Sequence, residues 1–273
     1  MKEDNVLQVY YGEKLVGTLA LTADYKAAFQ YAQEWLENGF SISPFSLPLK
    51  NQVFVPTKDY FSGLFGVFAD SLPDNWGRLL LDRLIRAHQQ NPDELTILDR
   101  LAIGGSSGMG ALTYYPEKSF DEETGKLDLD ELAEECQKIL NTEYSDKLDE
   151  LYHLGGTSGG ARPKIMTTIH GEEWIIKFPA HVDGKDTGKM EYDYSCCAKQ
   201  CQIAMSETKL FPSDRCKGYF GTKRFDRRPG GKRIHMLTAA ALLELDFEQP
   251  SLDYHSLMKR SEEHTSELQS RCT

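Results

Sequence analysis

The 273 residues contain no run of about 18 apolar residues, the length a membrane-crossing helix requires. The polar start, Met1-Lys2-Glu3-Asp4-Asn5, does not lead into the apolar core of a secretion signal. Both absences make the cytoplasm the expected location and argue against a membrane partner. Paired metal-ligand cysteines are also missing. The six cysteines are Cys136, Cys196, Cys197, Cys201, Cys216 and Cys272, and none form a C-x-x-C pair. Cys197 and Cys201 share a helix face at i, i+4, but no histidine stands at ligand spacing, so zinc is not expected. Small buried thiols in a reducing compartment are expected instead. An excess of positive charge is missing too. The net charge is −11, which excludes strong nonspecific nucleic-acid binding by the whole chain. A local basic cluster, Lys223, Arg224, Arg227, Arg228, Lys232 and Arg233, reads as a solvated turn. Finally, no asparagine follows Asn141, an absence that acquires meaning below.

What is present is ordinary for a globular protein. Hydrophobic residues make up 40% and charged residues 27%, and the length suffices for one large or two ordinary domains. Val6 to Ala20 alternates as a strand–turn–strand around Tyr11-Gly12-Glu13-Lys14. From Thr22 the spacing of Phe29, Ala32, Trp35 and Leu36 predicts a helix stopped by Asn38-Gly39. After Pro73 an amphipathic helix is predicted, with Leu79, Leu80, Leu84 and Ile85 inward and Arg78, Arg83 and Arg86 outward. A second helix is predicted near Glu94 to Ala102, then the tight turn Gly104 to Gly110 and a strand from Ala111 to Tyr115. Asp70 and Asp74, flanking Leu72 and Pro73, read as a turn residue and a helix N-cap rather than a catalytic pair.

Residues 117–150 hold thirteen acidic residues and four lysines but no arginine. The periodicity of Leu129, Leu132, Ala133, Cys136, Ile139 and Leu140 makes this an acidic helical connector and the place of the domain boundary. Beyond it lies the most informative stretch. A glycine-rich turn, Gly155-Gly156-Thr157-Ser158-Gly159-Gly160-Ala161-Arg162-Pro163-Lys164, precedes a strand from Lys164 to Ile169 and a second from Glu173 to Phe178. In the second strand Trp174, Ile176 and Phe178 point one way, and Ile175 and Lys177 the other. A helix follows from about Met190 to Ala204 with Glu191 in its first turn, then a strand from Tyr219 to Phe225 and a helix from His235 to Leu245.

That order is the parts list of a protein-kinase small lobe: a glycine loop over phosphates, a strand lysine that contacts them, and a helix glutamate that orients the lysine. The loop spacing is neither the kinase G-x-G-x-x-G nor a Walker A loop. The chain resembles the HipA-like family of bacterial serine/threonine kinases, toxins of toxin–antitoxin pairs. The resemblance rests on Ser71-Leu72-Pro73-Asp74-Asn75-Trp76-Gly77, Gly155 to Lys164, Trp174 to Pro179 and Lys223-Arg224-Phe225-Asp226-Arg227, and runs to about Met258. It implies ATP and Mg2+ as cofactors of the intact protein, a protein substrate, and a HipB-like helix-turn-helix antitoxin as partner. It implies that Gly159, Gly160 and Lys164 cradle phosphates, that Lys177 contacts them with Glu191 as its ion-pair partner, and that Lys223 to Phe225 form the hinge, Phe225 lying against adenine. It further implies self-phosphorylation at Thr157, with Ser158 adjacent. A phosphate there adds about −1.5 to −2 charges where the loop must close over another anion.

Phosphoryl transfer also requires an aspartate that positions the nucleophile, and an asparagine and second aspartate for magnesium. After Asp226 the chain offers only Asp246 and Asp253, neither in such a setting, and no asparagine. The expectation is therefore a chain without catalytic or metal-binding residues of its own. The stretch Arg260 to Ser270 resembles the translation of a common sequencing-library adapter, so native sequence is expected to end near Lys259. The expected fold class is α+β. An N-terminal α+β subdomain (1–116) and the acidic helical connector (117–150) precede a partial kinase-like nucleotide-binding lobe (151–259) and a non-native tail (260–273). Two alternatives stay open: a natural pseudokinase acting by binding, and a small-molecule kinase of similar lobe design.

Overall fold

The computed structural model describes residues 6–118, 128–157, 160–246 and 252–259. Ser158 and Gly159 of the glycine-rich turn lie outside these residues, as does the 260–273 segment read as a tail.

The chain is α+β, built on two antiparallel sheets. The first contains β1 (Val6–Tyr11), β2 (Lys14–Leu21), β3 (Ala27–Tyr31), β4 (Val53–Phe54) and β5 (Leu112–Tyr115), in the order β4-β3-β2-β1-β5. The helix predicted from Thr22 is instead strand β3 followed by the short helix α1 (Gln33–Asn38). Ala27, Phe29 and Tyr31 alternate inward and are buried, and β3 pairs along β2 from Gly17↔Tyr31 to Leu21↔Ala27. The period-2 reading wins because a neighbouring strand satisfies the backbone and the sheet buries that face. Helix α2 (Gly66–Ala69), helix α3 (Asn75–Ala87) and helix α4 (Ile97–Gly104) complete this half. Thr96 and Asp99 cap α4 reciprocally.

The second sheet contains β6 (Lys164–Ile169), β7 (Glu172–Lys177), β8 (Thr208–Phe211) and β9 (Tyr219–Lys223), in the order β6-β7-β9-β8. Helix α5 (Leu129–Leu140), helix α6 (Leu148–Gly155), helix α7 (Thr187–Gln200) and helix α8 (Ala239–Leu243) accompany it. Residues 119–127 of the acidic connector lie outside the described residues, and its described part is packed: α5 buries Leu132, Ala133, Cys136 and Ile139, and Asp130 accepts from Tyr219 Oη at 2.7 Å. Cys136 is buried, whereas Cys197, in α7, and Cys201, just after it, are exposed.

Packing crosses the boundary that composition suggests. The apolar face of α3 (Trp76, Leu80, Leu81, Leu84 and Ile85) belongs to the same core as α5, α6 and the second sheet. In the other direction α8 returns to the first half. The Asp70 carboxylate accepts from Thr238 N at 2.7 Å and Thr238 Oγ1 at 2.8 Å, and Gly66 N donates to the Glu244 carboxylate at 2.9 Å. Among the described residues no helix is long and apolar enough to cross a membrane.

Candidate functional site

The site forms where the glycine-rich turn leaves α6 and enters β6. β6 and β7 pair in register with Lys164 opposite Lys177. The strand alternation that buries Trp174, Ile176 and Phe178 puts the Lys177 side chain on the opposite face of the sheet. There its Nζ donates to Glu191 Oε1, and it also stands over the Phe220 ring at 5.4 Å from the centroid. α7 begins at Thr187, so Glu191 lies in its second turn, beyond the first-turn position the sequence suggested. The helix is anchored to β8 by Ser195 Oγ and Thr208 Oγ1, 2.8 Å apart. Glu191 is therefore oriented by lysine and helix together.

Lys164 is the unusual group. The residue is only 5% exposed, and its Nζ has no hydrogen-bond partner among the described residues. Burial pulls its pKa down to about 8, Asp74 works against that shift, and the neighbouring Lys177 adds to it. The Nζ lies 2.9 Å from where a Cβ on Gly160 would stand, and Gly160 has φ +106°. The ammonium therefore sits under the glycine turn. A buried cation without a partner, beneath a turn rich in glycine, is chemically a seat for an anion.

The turn is held from the N-terminal half. A Cβ on Gly77 would meet Gly156 O at 1.8 Å, so the first turn of α3 touches the loop backbone itself. Thr157 is 3% exposed, and its Oγ1 shares a 3.1 Å hydrogen bond with Ser107 Oγ, from the turn after α4. Asp74 occupies the N-cap position of α3, as the sequence suggested, and the Trp76 and Gly77 amides of that helix favour its charged form. Its Oδ1 is buried without a hydrogen-bond partner among the described residues. Burial pushes its pKa up to about 6, and Lys164 opposes that shift.

Lys223 ends β9 and pairs with Glu172, with Glu207 at 3.8 Å. Phe225 is 60% exposed beyond it. The basic cluster is a solvated turn only in part: Arg228 and Lys232 are exposed, whereas Arg224, Arg227 and Arg233 turn inward. Asp226 is 0% exposed, and its carboxylate accepts from Arg224 Nη2 at 2.8 Å, Arg227 Nη1 at 2.5 Å and Gly110 N at 2.8 Å. Arg227 Nη2 donates to Gly108 O at 3.0 Å, and Arg233 donates to Ser106 O. A fully buried carboxylate draws the arginines inward, and they hold its pKa below the ordinary value against burial. The turn Gly104 to Gly110 is thus the socket that locks the two halves together. Asp74, Ser107 and Asp226 were not assigned site roles from the sequence. The only signal was that the first and last lie in the Leu-Pro-Asp and Arg-Phe-Asp-Arg segments.

Among the described residues no group of three or more His, Cys, Asp or Glu side chains converges as a metal site. The described residues thus fit an anion and offer no magnesium cage, and no step through magnesium is derived for this chain.

The fold and site define a two-part α+β protein whose second sheet carries a lysine–glutamate pair beside a braced glycine turn. The family model of the HipA N-terminal domain matches residues 7–115, and that of the HipA-like C-terminal domain matches residues 156–272. With both domains matched in order, the chain belongs to the HipA-like family, a family of toxin kinases of toxin–antitoxin pairs. A search of curated proteins gave no match.

Proposed function

We propose that this chain binds ATP at the glycine-rich turn in the manner of a HipA-like serine/threonine kinase and does not itself transfer phosphate. The observation that carries this reading is the buried, unpartnered Lys164 ammonium under the turn, with the Lys177–Glu191 pair opposite it in the strand register. Lys164 and Lys177 present two positive charges to a triphosphate, and Glu191 holds Lys177 in place. Gly159 and Gly160 let backbone N–H groups close over the anion. Phe225, exposed past the end of β9, offers a ring to the adenine face beside Lys223. ATP supplies the transferable phosphoryl group, and the protein supplies position and charge. The reading that phosphate is not transferred rests on Asp246 and Asp253 being the only aspartates after Asp226, with no asparagine after Asn141. A protein substrate, Mg2+ as the metal of ATP, a HipB-like antitoxin and a cytoplasmic setting complete the proposal for the intact kinase.

The experiment is ATP binding by calorimetry, paired with incubation in γ-labelled ATP and Mg2+. Lys177→Ala removes a charge-assisted contact of roughly 1.5–3 kcal/mol, so ATP should bind about tenfold to a hundredfold more weakly. No label should enter the protein. Binding unchanged by Lys177→Ala refutes the site, and incorporation of label refutes the reading that the chain lacks transfer.

A further inference from the structure

We infer that Ser107 is a positioning residue for the glycine-rich turn, and that the Gly104 to Gly110 turn carrying it is a bracket between the two ends of the nucleotide site. The bracket holds Thr157 at the phosphate end and Arg224 at the hinge end. The inference rests on the nucleotide reading above and deepens it, because a turn of the N-terminal half then sets the spacing of a site built in the other half.

At the phosphate end the contact joins two side chains. Ser107 Oγ donates to Gly104 O at 2.8 Å and lies 3.1 Å from Thr157 Oγ1. A serine hydroxyl has one proton to give. With that proton on the Gly104 carbonyl, Thr157 is the donor to Ser107. The Thr157 methyl lies over Gly104, 3.5 Å from where a Cβ there would stand. Thr157 is thus gripped through both branches of its side chain, and it is buried. Fixing Thr157 fixes where the glycine turn leaves α6.

At the hinge end the bracket uses its backbone. Arg224, between Lys223 and Phe225, donates from Nη2 to Gly108 O at 3.3 Å. Arg227 Nη1 donates to Gly110 O at 2.9 Å, and Gly110 N donates to the Asp226 carboxylate at 2.8 Å. Arg233 donates to Ser106 O. Ser106, Gly108 and Gly110 therefore serve the segment after β9, and Ser107 serves the glycine turn. The bracket is itself anchored: Glu117 Oε1 accepts from Ser106 N and Ser106 Oγ, each at 3.1 Å.

A loop that must be ordered before it closes over an anion binds that anion more weakly than one already held. Losing one neutral hydrogen bond that orders the turn should weaken ATP binding about threefold to tenfold. Adenosine has no phosphates and meets only the hinge, so the same loss should not reach it.

The test combines amide hydrogen exchange of the ligand-free full chain with calorimetry of ATP and of adenosine. In Ser107→Ala, exchange at Gly156, Thr157 and Gly160 should rise about threefold to tenfold while the core of α3 keeps its protection. ATP should bind about threefold to tenfold more weakly, with adenosine affinity matching that of the unmutated chain. Thr157→Val removes the same bond from the other side and should give the same readings, so it decides the matter if Ser107→Ala does not fold. The double variant should bind ATP no more weakly than either single one. Unchanged exchange at the glycine turn overturns the inference. Additive losses in the double variant, or equal losses for ATP and adenosine, overturn it too. Absent ATP binding with the local rise in exchange intact refutes the nucleotide reading and leaves the Ser107–Thr157 brace standing.

Discussion

Lys177 and Glu191 stand fourteen positions apart, and their meeting follows from rules a sequence displays. Strand alternation puts Lys177 away from the core, and a helix after one loop returns an acidic residue to it. That part of the site was legible. The long-range contacts of the Asp226 cluster were not, because Gly110 N, which donates to Asp226, and Gly108 O, which accepts from Arg224 and Arg227, are backbone groups more than a hundred positions earlier. Nothing in the composition of a basic turn says that its one aspartate is buried. Asp226→Ala leaves Arg224 and Arg227 without their buried anion and should destabilise the protein by roughly 3–5 kcal/mol, read by chemical unfolding. Asp70 carries a prediction in pH. Burial raises its pKa from 3.8 to about 6. The folded form therefore holds more protons than the unfolded between those values, and the contribution of Asp70 to stability is lost as pH rises through that window. The melting temperature of Asp70→Asn should gain on the unmutated protein from pH 4 to pH 6.5, and parallel profiles would contradict this.

Hydrophobic pattern read most elements correctly as to kind. α3, β6 and β7 lie close to where periodicity puts them, because each has one buried face, and α7 lies within a few residues of its expected place although Ser195 is its only buried residue. β3 was misread because Phe29, Ala32, Trp35 and Leu36 fit a helical spacing, while the pairing partner that decides the matter, β2, is visible only in three dimensions. β8 gave no sequence signal of its own: four residues with Lys209 outward take their order from β9. Between elements, the contact of α3 with the glycine turn is the tightest. Gly77→Ala forces a methyl into the Gly156 carbonyl and should cost about 3 kcal/mol or more in a thermal unfolding assay. A change below about 0.5 kcal/mol would show that the two backbones are not in contact.

At the scale of the whole molecule the two sheets are not independent. α3 fills the core of the second, α8 docks on the first, and the Asp226 cluster closes the seam. The chain should therefore unfold in a single calorimetric transition, and Asp226→Ala should broaden or split it. The same bracing sets the anion seat, since Gly77 and Ser107 reach the glycine turn from the N-terminal half. The most direct test of the account is to titrate ATP into 15N-labelled protein and follow the backbone amides. The account predicts saturable shifts centred on the glycine turn, Lys164 and Lys177, spreading to the first turn of α3 and to Ser107. Shifts confined to other surfaces, or none at millimolar ATP, would contradict it.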